Sequence, residues 1–267
     1  GTVALIATAT TYTPMSVAQA PIDRRGERTR PGPGISVIRT ESALNVTREE
    51  MAILAAVGAN HKLVPEPKPG APSVPERLQL GSQAFRLSDT PGTSYDVNAE
   101  DEQAIVDSIA AARRRAPLVV FSIHAHETAM GDADWDDPNP GAFLRPLFHR
   151  AIDAGAGVVV RNGPHVLNGI EIYHGMPILY SLGSLFFDFG GKRSYTVPGT
   201  SIHLDFPDAW FETAVAVARF RKGQLAELRL YPMLIEVSER PTCGMPRPAH
   251  GADAHRILER LRLYSQP

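Results

Sequence analysis

Residues 117–128 read PLVVFSIHAHET: a run of β-forming apolar residues, Leu118 to Ile123, followed at once by His124, His126 and Glu127. Alternate side chains of a strand share one face, so His124 and His126 would project together from its C-terminal end. Two imidazoles on one face can grip one metal ion. The adjacent Glu127 would serve as a general base, or as a carboxylate that holds a histidine tautomer from behind. His126 would be a third ligand or the acid that protonates a leaving group. A second group of donors follows in RNGPHV, where His165 comes after Pro164 in a rigid turn. Asn162 would add an amide oxygen or act as a turn residue that tolerates left-handed backbone angles. Arg161 would receive an anionic substrate, because guanidinium binds carboxylate through paired hydrogen bonds. Arg24, Arg25, Arg28 and Arg30 offer the same chemistry, although a solvated loop accounts for them more simply.

These residues need elements that bring them together. Asn98 caps a helix reaching to about Ala116, with acidic residues in its first turn and Arg113–Arg115 at its end, as the helix dipole favours. The strand ending at His124 follows. After an acidic loop, GDADWDDPNP, Leu144, Leu147, Phe148 and Ala151 mark a second helix, which Gly155 ends. Residues 157–160 (GVVV) then form a short buried strand ending near Arg161. Short strand–helix–strand connections place such strands parallel and adjacent. Their C-terminal ends open on one crevice, the usual ligand position in an α/β sheet. There His124 and His165 would share a cation.

Elsewhere, the opening TVALIATAT reads as a strand, and residues 13–36 read as a long irregular loop. Thr47 and Glu50 form a capping box for a short helix before Gly58, and LQLGSQAFRL reads as a hairpin. GIEIYHGMPILYSLG and TAVAVARFRKGQLAELRLYP read as hairpins turning at His174-Gly175 and Lys222-Gly223. Asp253 caps a final helix with Ala254, Ile257, Leu258 and Leu261 on one side. His149, His174, His203, His250 and His255 have no partner in sequence and are assigned no role.

Composition narrows the function classes. The chain has 267 residues, 43% hydrophobic and 21% charged, enough to bury a core. A formal charge of -2 and the lack of a long basic block argue against a nucleic-acid partner. No stretch approaches the ~20 apolar residues of a membrane span. The single cysteine, Cys243, has no second thiol to bridge or share a metal with.

The segment VVVRNGPHVLNGIEIYHGMPILYSLGSLFF resembles the signature of the CapA capsule-synthesis proteins associated with poly-γ-glutamate production, and VVFSIHAHE, ALIATATTYTPMS and AVARFRKGQLAELRLYP fit the same family. The resemblance implies an α/β fold of the calcineurin-like metallophosphoesterase type, a four-layer α/β/β/α sandwich with metal at the strand ends. It matches the middle-strand histidine to His124 and the last histidine of the turn to His165. It further implies that residues 1–267 are the downstream portion of a single domain. The N-terminal part, with its Asp and Asn-His ligands, would then lie on an upstream fragment of the same precursor. Where many relatives carry a histidine in the turn this chain has Asn162. The implied activity is metal-dependent hydrolysis of a γ-glutamyl-type amide or a phosphoester, with Zn, Mn or Fe as cofactor. An anionic small molecule or polyglutamate would be the substrate, and the cell envelope, periplasmic or extracellular, the location. A non-catalytic polyglutamate-binding component of a capsule assembly or export complex is the alternative. An H-x-H amidohydrolase barrel fits less well, because it repeats βα units and this chain ends in hairpins.

Overall fold

A computed structural model describes residues 1–18, 33–66, 70–131, 136–237 and 241–265. The elements follow in chain order: β1 (Val3–Ala9), β2 (Thr40–Val46), α1 (Arg48–Asn60), β3 (Arg77–Leu80), β4 (Gln83–Leu87), β5 (Thr93–Val97), α2 (Ala99–Arg113) and β6 (Leu118–His124). Then come α3 (Leu144–Asp153), β7 (Val158–Asn162), β8 (Ile170–Tyr173), β9 (Met176–Leu179), β10 (Ser194–Thr196), β11 (His203–Asp205), β12 (Glu212–Arg221), β13 (Gln224–Ile235), β14 (Pro246–Pro248) and α4 (Gly251–Tyr264). The result is a mixed α/β architecture with a five-stranded sheet in the order β1-β6-β7-β9-β8 and a four-stranded sheet in the order β3-β4-β2-β5. A three-stranded sheet, β12-β13-β14, and the β10-β11 pair complete it.

The five-stranded sheet positions the histidines. β1, β6 and β7 are parallel, and the register sets Ala9 beside His124 and His124 beside Asn162. The expected adjacency of the strands ending at His124 and near Arg161 is therefore present. One face of β6, through Val119, Phe121 and Ile123, packs against Ile105 and Ile109 of α2 and Leu144, Leu147 and Phe148 of α3. Alternation puts Leu118, Val120, Ser122 and His124 on the other face. α2 and α3 thus supply the core that pins the strands whose ends bear the histidines.

Local signals account for most boundaries. The Thr47–Glu50 capping box forms in full and Asn98 caps α2. Both hairpins turn where expected, with positive φ at His174 and Gly175 and at Lys222 and Gly223, the conformation of tight two-residue turns. Two helix ends differ from expectation. α1 runs past Gly58, which is buried where a Cβ would press on the Leu80 and Val64 side chains, so this glycine serves packing rather than termination. α4 begins at Gly251, with Asp253 inside its first turn paired to Arg256. β2 and β5, whose sequences TESALNV and TSYDV are largely polar, show no clear strand pattern but pair antiparallel in the four-stranded sheet. Most of the expected 13–36 loop, and part of the acidic loop, lie outside the described residues.

In the four-stranded sheet Asp96 joins Arg86, at 2.6 Å, and Arg77. The hydrogen bond from Arg86 holds the Asp96 carboxyl below the ordinary carboxylate range, with burial opposing and Arg77 assisting. A depressed folded-state value means that the stabilisation is complete above the unfolded value of ~3.9 and is lost as pH falls through the folded one. Asp96 is 42% exposed, so solvent screening limits the effect to about 1 kcal/mol or less. Urea denaturation of Asp96→Asn should show a deficit at pH 7 that closes below about pH 4.

Candidate functional site

The end of β6, the turn after β7 and the segment following β1 meet at one place. The rings of His124 and His126 stand 4.9 Å apart between centroids, and those of His126 and His165 stand 6.4 Å apart. His124 is exposed, and its Nδ1 lies 2.8 Å from Asn162 Oδ1. The amide Nδ2 of Asn162 donates to Ser122 Oγ at 3.4 Å. Because Oδ1 only accepts, the His124 Nδ1 carries the proton, which leaves Nε2 as the ring's lone-pair nitrogen. His165 is wedged differently. Its ring stacks on Trp210 at 4.5 Å, lies 5.1 Å from Phe187, and its Nδ1 sits 2.9 Å from Ser184 Oγ.

Burial pushes His126 down to about 4, and the neighbouring His124, His165 and Arg161 push in the same direction. Burial also lowers His165, with His124 adding to the effect. Burial and the proximity of the rings thus disfavour positive charge on His126 and His165. Neutral imidazole suits Zn, Fe and similar ions. Among the described residues, however, no group of three or more His, Cys, Asp or Glu is arranged to hold a metal ion by itself.

Arg161 departs from its expected role. It is 2% exposed, and Nε donates to Ala125 O at 3.0 Å while the terminal nitrogens donate to Glu127 O at 2.8 Å, Asn168 Oδ1 at 2.9 Å and Tyr180 O at 3.4 Å. Burial lowers its guanidinium to about 10, with Glu127 the largest opposing influence, so it stays charged at neutral pH. Rather than facing a substrate, it holds the loop that carries His126. Asn162 likewise spends its amide oxygen on His124. Arg24, Arg25, Arg28 and Arg30 lie outside the described residues.

Glu127 is also 2% exposed. Its carboxylate accepts from Thr10 Oγ1 at 2.7 Å and from Thr11 and Thr40 Oγ1 at 3.4 Å each. Thr11 Oγ1 in turn accepts from the His126 backbone N–H at 3.0 Å, and Thr10 N donates to His124 O at 2.9 Å. The buried carboxylate therefore ties the end of β1 and the start of β2 to the histidine loop. The hydroxyl run in ATATTYT, at a strand's C-terminal end, was the available sign of Thr10 and Thr11. Nothing local in the sequence marks Ser184, Asn168 or Trp210. Of the histidines assigned no role, His149 bonds Glu171 at 2.8 Å and stacks on Tyr173, away from the three rings.

Gly163 permits the turn. Its φ is 128°, and a Cβ there would meet Ala125 O at 2.7 Å and the His126 ring at 3.0 Å.

The family model for the bacterial capsule synthesis protein PGA_cap matches residues 39–189, more than half of the chain. The chain belongs to this family. The PGA_cap match includes β6, β7 and all three histidines. Over its whole length the chain is similar to uncharacterized protein y4sH of Sinorhizobium fredii, 33% identical over 296 aligned positions, and it spans 61% of that protein. It is 36% identical to PGA biosynthesis protein CapA of Bacillus subtilis over 115 residues, which cover 43% of this chain and 27% of that one. With capsule biosynthesis protein CapA of Bacillus anthracis it shares 34% identity over 151 residues, covering 57% and 28% respectively. No helix among the described residues is long and apolar enough to cross a membrane.

Two substitutions test this geometry. Arg161→Met removes the donors from buried carbonyls and leaves Glu127 without its nearby cation, and should cost about 3 kcal/mol or more in denaturant unfolding. Gly163→Ala adds both the strained φ and the clash with Ala125, and should lower stability by about 2 kcal/mol while shifting the imidazole NMR signals of His126.

Proposed function

We propose that this chain is the imidazole-bearing part of a CapA-like metal-dependent hydrolase. It would act on a γ-glutamyl-type amide or a phosphoester in poly-γ-glutamate or capsule metabolism at the cell envelope, on its periplasmic or extracellular side. The observation that carries the proposal is the gathering of three imidazoles at the ends of two adjacent parallel strands, inside the segment matched by the PGA_cap model. The names of the CapA relatives supply the polymer, and the order of strands and helices is compatible with a metallophosphoesterase-like four-layer arrangement.

In this proposal His124 and His165 hold a divalent ion, Zn, Mn or Fe, with the remaining donors coming from outside the described residues. When bound, such an ion supplies Lewis acidity toward a phosphoryl or acyl oxygen. Asn162 fixes the His124 tautomer that presents Nε2, and Trp210 and Ser184 fix the plane of His165. His126 stands between them as a third donor or as the group that passes a proton to the leaving atom. Glu127 and Arg161 are positioning residues, since both are buried and engaged with the chain.

The second reading keeps the site and drops the reaction: a polyglutamate-binding component of an assembly or export complex. It is favoured by the Asn162 oxygen being committed to His124 and by the absence, among the described residues, of a self-sufficient ligand group.

Elemental analysis and hydrolysis assays on γ-glutamyl amides and aryl phosphoesters separate the two. For the hydrolase, His124→Ala and His165→Ala should each lower bound metal and reduce turnover about tenfold or more, and chelation should abolish turnover. Polyglutamate affinity that persists under chelation, with no turnover before it, would instead favour the binding component. Full activity and metal content in both variants would exclude the metal role.

A further inference from the structure

A cavity of about 600 Å³ opens among β12, β13, β14, α4 and the 3-10 turn Asp208–Phe211. Four guanidiniums line it: Arg193, Arg247 of β14, and Arg256 and Arg260 of α4. Phe211, Leu234 and Ile235 supply an apolar part of the lining. Consecutive residues of the turn serve two places, since Trp210 stacks on His165 while Phe211 lines this cavity. Each guanidinium is held in position. Glu212 is buried, and its carboxylate oxygens accept from Arg256 Nε at 2.8 Å and from Arg260, one helical turn further on. Asp253 also pairs with Arg256, at 2.7 Å. Arg193 lies 4.6 Å over the Phe211 ring and pairs with Asp208, and Arg247 Nε donates to Glu236 at 3.1 Å. A guanidinium carries five N–H donors, and among the described residues Arg193, Arg247 and Arg260 each meet a single carboxylate. Exposed ion pairs add little to stability, so stability does not account for gathering these arginines around one cavity. Their carboxylates also differ in commitment: the Glu212 side chain is 3% exposed and that of Asp208 88%.

We propose that this cavity binds a flexible chain that bears carboxylates on aliphatic stems. The chain's carboxylates take the place of Asp208 on Arg193 and of Glu236 on Arg247, and a further one meets the unused donors of Arg260. The stems lie against Phe211, Leu234 and Ile235. Glu212 is the anchor that holds Arg256 and Arg260 at the cavity. Four carboxylates balance the four cations, so the site exchanges one carboxylate for another and does not collect dense charge. A phosphate monoester would set two charges at one point against Glu212 and Asp253. Spaced single charges match guanidiniums distributed around a cavity, each able to take a carboxylate through paired hydrogen bonds. The proposed function suggests the probe, a glutamyl chain, but the cavity is assigned from its own residues and needs no metal.

The test is titration calorimetry of this 267-residue chain with a short γ-linked glutamate oligomer, in chelator. Replacing Arg193 and Arg247 together, Arg193→Gln with Arg247→Gln, should weaken binding about tenfold or more. Asp208→Asn removes the internal competitor and should tighten binding about threefold, a gain that a merely structural ion pair would not give. His124→Ala and His165→Ala should leave the affinity unchanged. An oligomer that does not bind, a double variant that binds as well as the parent chain, or an Asp208→Asn variant that binds no better would each overturn the proposal. So would inorganic phosphate displacing the oligomer at equal concentration, because the cavity would then take anions without regard to spacing. Loss of binding in His124→Ala or His165→Ala would place the oligomer at the imidazoles and overturn it too. Because affinity is read without metal, failure of the hydrolase reading leaves the result standing, and failure of the cavity leaves that reading untouched.

Discussion

A single buried guanidinium fixes the relation between the two histidine-bearing loops. Arg161 lies in register with Ile123 across the β6–β7 pair and reaches beneath the turn that follows β6. Removing a guanidinium from water is costly, and the cost is offset only where charge-assisted hydrogen bonds and a nearby opposite charge replace the lost hydration. Ala125 O, Glu127 O and Asn168 Oδ1 supply the first, and the Glu127 carboxylate supplies the second. Loosening the loop would strand a charge in the interior. The position of His126 is therefore held by an electrostatic constraint as well as by backbone pairing.

Glu127 extends the same logic outward. Its carboxylate collects hydroxyls from Thr10 and Thr11 after β1 and from Thr40 at the start of β2, so one buried anion joins the five-stranded and four-stranded sheets at the site. The three imidazoles then occupy graded surroundings on this rigid base. His124 is exposed and oriented by an amide, His165 is pinned between an indole and a hydroxyl, and His126 stands between them with its protonation disfavoured by burial.

The parts of this arrangement that are legible in the sequence are those governed by local rules. Alternation puts His124 on a strand face, the Thr47–Glu50 spacing closes a capping box, and His174-Gly175 and Lys222-Gly223 mark turns because these residue pairs suit positive φ. What is not legible depends on contacts distant in the chain. An arginine beside a turn implies solvent and anions, and only the fold reveals that Arg161 is walled in by Ala125, Asn168 and Tyr180. Trp210 reaches His165 from a short 3-10 turn before β12, and β2 finds β4 and β5 without any apolar alternation of its own. Propensity is a weak guide where tertiary pairing decides.

The chemistry available to the site follows from what its donors lack. Imidazole nitrogens alone suit Zn or Fe better than the hard cations, which prefer oxygen, and the one amide oxygen in the turn is already engaged by His124. An ion in the proposed site would therefore be selected by the imidazoles, with the Asn162 amide acting on His124 rather than on the metal.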